Sequence, residues 1–299
     1  MDDWQRFIVR FWGVRGSYPT PGLHTLRHGG NTSCVEVQAG PHTLIFDAGS
    51  GIIRLGNELM QRNHKDVLNL ALFLTHGHGD HLVGFPFFAP LFDPHTTIHL
   101  FGPRLAGRGI KQLVTAMMSP PYFPVDMRTL PSHRVFHTIT DEQSIIWKKD
   151  SSDPVARQPE TGQPLHNELC VKARFTQSHP LNGALVYRIE YAGRSVVYAT
   201  DVEWSEGCEP DLLDFIEGAD VLIHDAQYTA LDYEQTKNGF GHSTVEMATE
   251  TAAAAHVGEL ILFHHEPTYD DNQLDRMEAE AQARFARTRS AFEGLEIDL

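Results

Sequence analysis

Cysteine is scarce in this chain: Cys34, Cys170 and Cys208 are the only three in 299 residues. They are far apart and odd in number, which excludes a disulfide framework and a cysteine-ligated zinc knuckle. Long apolar runs are missing too. Nothing approaches the roughly 20 residues of a membrane span, so no membrane partner is expected. The opening MDDWQRFIVRFWG is acidic and then alternating, without the basic and apolar regions of a secretory signal. A reduced, cytoplasmic protein is expected. Basic charge is also short: 24 Lys and Arg face 39 Asp and Glu, for a formal net charge of −15. Nucleic-acid affinity rests mostly on cations that neutralise phosphates, so this balance argues against nucleic acid as a partner. A bound pair of divalent cations would cancel about four of those negative charges locally.

Enough apolar residue is present, 41%, for one sizeable core. Strand signals fill the first part. RFIVRFWG alternates, CVEVQAG and TLIFDAGSG flank the turn GPH, and LNLALFLTH reads as a buried strand. IIRLGNELMQR sets Ile52, Leu55, Leu59 and Met60 on one helical face. From about 103 to 163 prolines and polar residues predict loops, a short helix near IKQLVTAMM and some strand pairing, inserted over the core of a single domain spanning 1–299. Strands resume with ELCVKARFTQSH, ALVYRIEYAG, RSVVYATD and DVLIHDAQ, and YAGR reads as a hairpin turn. Ser243 and Glu246 form a capping-box pattern ahead of a helix ending at Gly258, ELILFHH is a short strand, and 272–292 reads as a closing helix. Two strand-rich halves, each ending in helix, predict two sheets face to face with helices outside. GFPFFAPLF could serve core, lid or a homo-oligomer interface.

Eighteen histidines are many, and spacing must select among them. His24, His28, His42, His64, His95, His99, His133, His137 and His166 read as ordinary loop or surface residues. THGHGDH differs. His76 and His78, two apart on extended chain, point the same way. Gly77 and Gly79 permit a tight turn that swings Asp80 and His81 to a neighbouring position. Two imidazoles aimed at one point, and a carboxylate with an imidazole at another, describe half of a two-metal site.

The stretch resembles the signature of the metallo-β-lactamase-fold hydrolases, an α/β fold of the αββα sandwich type with two mixed sheets between outer helices. The resemblance implies three further ligands, and His179, Asp201 and His264 match them in order at strand ends. His265 is a rival for the last position. Metal one would then sit among His76, His78 and His179, metal two among Asp80, His81 and His264, with Asp201 bridging. Such a nitrogen-rich set favours two Zn2+, with Mn2+ or Fe fitting as well. Within the superfamily the nearest resemblance is to the ribonuclease Z-like and class II cyclic-nucleotide-phosphodiesterase-like branch. ADVLIHDAQYT is similar to its H-E-A-T stretch, with Asp225 in the glutamate's place, and GHSTVEMATETAAAAHVGELILFHHEP is similar to its H-S-T helix and ligand strand. The branch implies catalytic roles for Asp80, Asp225 and His242, and a supporting role for Asp47 in LIFDAGSG. It also leads one to expect a basic, glycine-rich arm for holding tRNA, of which the sequence shows no sign.

These readings converge on a dinuclear-metal-dependent phosphodiesterase acting on a small-molecule phosphodiester such as a cyclic nucleotide. The alternatives are a ribonuclease Z-like RNA endonuclease, a glyoxalase-II-type thioester hydrolase sharing the ligand set, and a non-catalytic sensor on the same fold.

Overall fold

Alternation builds the first sheet. In β1 (Phe7–Gly13), Phe7, Val9 and Phe11 turn to one side and Trp12 to the other. β2 (Cys34–Ala39) and β3 (His42–Phe46) repeat the pattern through Val35, Val37, Leu44 and Phe46, as strand period two requires. β4 (Leu68–Phe73), β5 (Thr96–Pro103) and β6 (His133–Ile139) follow in parallel. With β15 (Glu296–Asp298) on the far edge, the order is β15-β1-β2-β3-β4-β5-β6. Parallel neighbours need crossovers. Those from β3 to β4 and from β5 to β6 are α1 (Gly51–Arg62), which buries Ile52, Leu55 and Leu59, and α2 (Ile110–Met117), which buries Ile110 and Val114, while β4 reaches β5 through 3-10 turns.

The computed structural model describes residues 6–62, 67–148, 151–157 and 168–299. Its second sheet comprises β7 (Ser144–Trp147), β8 (Val155–Arg157), β9 (Leu169–Thr176), β10 (Ala184–Tyr191), β11 (Arg194–Ala199), β12 (Val221–Asp225), β13 (Glu259–Phe263) and β14 (Thr288–Ser290). The order is β14-β13-β12-β11-β10-β9-β7-β8, parallel from β11 to β14 and antiparallel elsewhere. The β10–β11 hairpin turns on Ala192 and Gly193, both at positive φ (50° and 79°), as a two-residue type I′ turn demands. The helices of this half are α3 (Pro210–Ile216), the single turn α4 (Ala230–Asp232), α5 (Val245–Ala254) and α6 (Asp271–Arg284). One apolar layer, with Phe46, Phe73, Tyr187, Tyr198 and Phe263, lies between the sheets. A second lies under α1 and α2, and a third under α3, α5 and α6. The result is the expected four-layer αββα sandwich.

Several boundaries fall differently from the sequence reading. The described part of 103–163 does more than lie over the core: β6 extends the first sheet, and β7 and β8 extend the second. Residues 149–150 and 158–163 of that stretch lie outside the described residues. α5 is capped by Thr244, whose hydroxyl accepts from Met247 N, and not by Ser243, because the Ser243 hydroxyl donates to the Val202 carbonyl at 2.7 Å. The same helix stops at Ala254, with His256 at φ 51°. The closing helix ends at Arg284, because Thr288–Ser290 pairs with β13 as β14.

Strands β3, β4, β9, β11, β12 and β13 all end at one rim of the sandwich. Just past three of them Asp47, Asp201 and His264 adopt φ of 62°, 57° and 62°. Left-handed backbone costs a residue bearing a Cβ about 1–2 kcal/mol. Here it turns each side chain off the strand's alternation and into the rim.

Phe73 is fully buried and stacks on Phe46 at 5.1 Å and on Phe101 at 4.5 Å. Phe73→Ala is expected to cost about 3–5 kcal/mol in urea unfolding. Leu181→Ala, at a side chain 96% exposed, should stay within about 0.5 kcal/mol.

Candidate metal centre

Beyond β4 the chain stays extended to His78 (φ −71°, ψ 156°) and then makes one 3-10 turn, Gly79–His81. That geometry separates the two pairs. His76 and His78 lie edge to face at 4.5 Å between ring centres, while Asp80 and His81 face the other way. His179, after β9, brings Nε2 to 2.9 Å from His78 Nδ1. His264, after β13, brings Nε2 to 3.2 Å from both His81 Nε2 and Asp80 Oδ2. Asp201, after β11, stands between the groups. Its Oδ2 is 3.5 Å from His76 Nε2 and 3.7 Å from His179 Nε2, and its Oδ1 is 3.1 Å from His81 Nε2 and 3.3 Å from His264 Nε2. Three sets of potential ligand atoms result: His76, His78, His179 and Asp201; Asp80, His81 and His264; and Asp201, His242 and His264, with His78 the exposed member.

Each buried imidazole is aimed by its outer nitrogen. His76 Nδ1 donates to the Thr75 hydroxyl at 3.0 Å, His81 Nδ1 to Asp47 at 2.8 Å, His179 Nδ1 to the Gly241 carbonyl at 2.9 Å, and His264 Nδ1 to Gln227 Oε1 at 3.0 Å. These contacts place a proton on Nδ1 and turn Nε2 toward the cluster, where it can offer a lone pair to a cation. Asp47 is the hub. Besides His81 it accepts from Thr75 N, from the Thr75 hydroxyl and from the Tyr198 hydroxyl at 3.0 Å. Buried His76 Nε2 has no hydrogen-bond partner in the protein, as expected of a lone pair reserved for a metal.

Charge points the same way. Burial alone would raise the Asp201 carboxyl, but His264, His81 and His76 hold it well below the usual carboxylate range. For Asp80 burial is likewise outweighed, chiefly by His81 and by the hydrogen bond from His264. Conversely burial would lower His81 and His264, yet the carboxylates, Asp201 foremost, lift His81 well above its usual value and His264 to about 9. Two imidazolium rings cannot share a 3.2 Å gap, so the carboxylates call for positive charge that protons supply poorly. A divalent cation, for which His81 and His264 would be ligands, would supply it.

Two further loops hold the site. Arg15 is fully buried and donates to the carbonyls of Gly29, Glu266 and Tyr269. Pinned there, the following segment gives the Ser17 N–H to Asp80 Oδ2 at 2.8 Å, and a Cβ at Gly16 would strike the His264 ring at 2.4 Å. On the opposite side Glu203 accepts from the Tyr233 hydroxyl, Gly239 N and Gly241 N, each at 2.6 Å. This fixes Gly241, at φ 89°, under His179. Gln227, in the quoted HDAQ, had only its neighbour Asp225 singled out. A carbonyl such as that of Gly241 leaves no sequence signal.

The structure brings together all nine residues singled out from the sequence. Asp225 ends β12 and accepts from His242 Nδ1 at 2.7 Å, from Asp201 N, and from the Gln227 and Ser243 N–H groups, the last three at 3.1 Å. His242 stacks on His264, rings 4.8 Å apart and 19° from parallel. His265 points away, donating Nε2–H to the Ala291 carbonyl, so it is His264 that faces the cluster.

The sequence matches the family described as Beta-lactamase superfamily domain over residues 42–265. The chain belongs to that superfamily. Its metal-dependent hydrolase class and its cluster together make it a divalent-metal site. A ribonuclease Z of Thermoplasma acidophilum is 26% identical over 317 residues, covering 97% of this chain and 96% of the relative. Three solved structures share the fold: YhfI of Bacillus subtilis (TM-score 0.68, 22% identity, 99% and 100% of the two chains), the short form of human tRNase Z (0.64, 19%, 97% and 98%) and Zn2+-bound PqqB of Methylobacterium extorquens (0.65, 19%, 98% and 100%). The ribonuclease relatives overturn the expectation that nucleic acid is no partner. Net charge is a sum over the whole surface, whereas phosphate binding depends on local cations. Such cations stand at the rim: Arg108 lines the cleft beside His78, and Lys237 lies over the rings of Tyr228 and Phe240. Among the described residues no helix is long and apolar enough to cross a membrane.

Asp47→Asn should weaken divalent-metal binding about 10–100-fold, the usual loss when a ligand's supporting carboxylate is removed, read by titrating apoprotein with zinc. Because the proton held between His81 and His264 would have to leave for a metal to bind there, binding should release protons into a weakly buffered dye solution, and affinity should fall as pH drops from 9 to 6.

Proposed function

We propose that the protein is a dinuclear-metal phosphodiesterase that cleaves RNA, a ribonuclease Z-type endonuclease. His76, His78 and His179 would hold one ion and Asp80, His81 and His264 the other, with Asp201 common to both. Zn2+ suits the nitrogen-rich donor set. When bound, such ions neutralise phosphate charge and lower the pKa of water. The observation that carries the reading is the Asp225–His242 pair at the edge of the cluster. A thioester hydrolase needs no second acid there, whereas a phosphodiester must release a poorly leaving alkoxide.

Asp225 is immobilised by its three backbone donors and accepts from His242 Nδ1–H, which leaves Nε2 for proton transfer. When the ring takes a second proton, Nε2 can pass it to the leaving oxygen as negative charge builds there. Ser17 and Gln227 tie Asp80 and His264 to their loops, so the ligand groups stay aligned around the scissile phosphate. Nearly full-length similarity to ribonuclease Z proteins supports RNA as the substrate. A small phosphodiester is the second reading, favoured by the modest cleft beside His78, about 250 Å³, whose walls include Leu105, Leu113 and Asn182.

Metal-replete protein should cut a precursor tRNA at one site and faster than it turns over cyclic nucleotides. The reverse ranking would replace the RNA reading by the small-diester one, and a thioester panel should stay silent.

His242 also lies within ligand reach of Asp201 and His264, so the two roles need separating. His242→Ala should lower turnover by roughly 10²–10³ with metal content and Tm held. Asp225→Asn should fall in the same direction by less. A p-nitrophenyl diester, which needs little leaving-group protonation, should mask part of both losses. Loss of metal in His242→Ala would make His242 a ligand instead.

A further inference from the structure

At the end opposite the metal centre the two sheets do not close completely. A cavity of about 390 Å³ lies there, lined by Leu44 and Ala71 of the first sheet and Trp147 of the second, with His42, Asn69 and His99 among its polar walls. The register explains the space. Leu44, Ala71 and His99 are paired neighbours across β3, β4 and β5, and the small residue stands in the middle. Alanine leaves unfilled what a leucine there would occupy.

The walls have a definite chemistry. The His42 ring lies 6.0 Å from that of Trp147, tilted by 47°. His99 Nδ1 is 3.0 Å from His137 Nε2, and those rings stack at 5.3 Å. His137 in turn stacks on Phe101 at 4.4 Å, continuing through Phe73 to Phe46. A row of near-parallel rings therefore crosses the first sheet and ends at the cavity wall. Burial takes His42 and His137 down to about 4, and lowers His99 as well, so all three are neutral near pH 7. Among the described residues lining the cavity there is no Lys, Arg, Asp or Glu. Asp153, 3.6 Å from His99 Nε2, has a side chain 81% exposed.

These walls select against charge. Among the described residues a cation would meet only the solvent-exposed Asp153 at the edge, and an anion would meet only neutral imidazoles, so either would enter with little to offset its desolvation. Imidazole, amide and hydroxyl edges favour a ligand with hydrogen-bonding groups on its rim. Sheets pack about 10 Å apart, and with Leu44 and Trp147 filling part of that spacing, what is left suits a flat molecule. The volume falls in the range of small-molecule pockets. Ala71 precedes His76 by five residues, roughly 17 Å of extended chain, so an occupant would not touch the substrate.

We propose that this cavity is a second ligand site, which takes an uncharged, planar heteroaromatic molecule the size of a purine base. It is independent of the phosphodiesterase reading, and either can fail alone.

Adenine and benzimidazole at pH 8 serve as neutral probes, with benzoate and benzylamine as charged controls, all against the metal-replete full chain. Either neutral probe should raise Tm saturably by about 2–4 °C, and the controls should not. Ala71→Leu, which fills the cavity, should keep or raise the protein's own Tm and abolish the shift. Should that variant fold poorly, fluorescence replaces it: adenine should quench emission saturably in the parent and not in Trp147→Phe. No saturable shift with either neutral probe overturns the proposal. So does an equal shift with a control or in folded Ala71→Leu, or quenching that survives in Trp147→Phe.

Discussion

A buried carboxylate that cannot be left alone organises this protein. Asp201 is 1% exposed and sits just past a strand, in a left-handed conformation that points it into the rim. Removing such a charge from water costs several kcal/mol unless it is compensated. Four histidine nitrogens surround its two oxygens at 3.1–3.7 Å. They come from the loop that follows β4, which supplies His76 and His81, from the end of β9 and from the end of β13, so the compensation joins both sheets. The sandwich contributes what one sheet could not: strand ends from two directions converging on one point, over a rigid core that fixes their separation.

The supporting contacts follow from that demand. A lone pair can face a cation only if the other ring nitrogen holds the proton and the ring cannot turn. Thr75, Asp47, Gly241 and Gln227 each meet this requirement for one histidine, by four different chemical means. Gly241 shows how far the constraint reaches. Its carbonyl is useful only because Glu203 gathers the N–H groups of Gly239 and Gly241 and the Tyr233 hydroxyl. A Cβ at 241 would lie 2.0 Å from Pro180 Cδ. A carboxylate that touches no ligand thereby sets the orientation of one.

The difference between legible and illegible residues in the sequence is physical. Side chains that do chemistry appear as types at spacings: His76, His78, Asp80 and His81 fall in six consecutive positions, and His179, Asp201 and His264 each follow an apolar strand. The sandwich was legible from strand alternation, because β1 to β4 and β9 to β13 bury one or both faces in regular order. Groups acting through the backbone leave no such trace, which is why Gly241, Ser17 and the anchoring of Arg15 emerge only from coordinates. β6, HRVFHTI, was obscured because it carries histidines at positions that face a half-open end of the core. The helix cap was misplaced by one residue because Ser243 and Thr244 are equally good caps locally, and tertiary contact with Val202 decides between them. The charge argument failed for a different reason: a whole-chain sum contains nothing about where the cations lie.

Asp225 brings these strands of argument together. Its short side chain reaches His242 Nδ1 at 2.7 Å only because the main chain around both residues is tied together. The structure closes the distance from the other side. The Ser243 N–H donates to Asp225 Oδ1, and the Tyr228 N–H donates to the Ser243 carbonyl at 3.1 Å. The segment bearing His242 is thus drawn down onto the end of β12. Asp225 also accepts from the Asp201 N–H, so the carboxylate that orients His242 belongs to the same hydrogen-bonded turn as the carboxylate between the two ligand groups. Lengthening the side chain to glutamate would push the carboxylate out of that turn or push His242 away from His264. The shorter acid is therefore not a weakened copy of the longer one. It couples His242 to the cluster through the backbone amides of Asp201, Gln227 and Ser243.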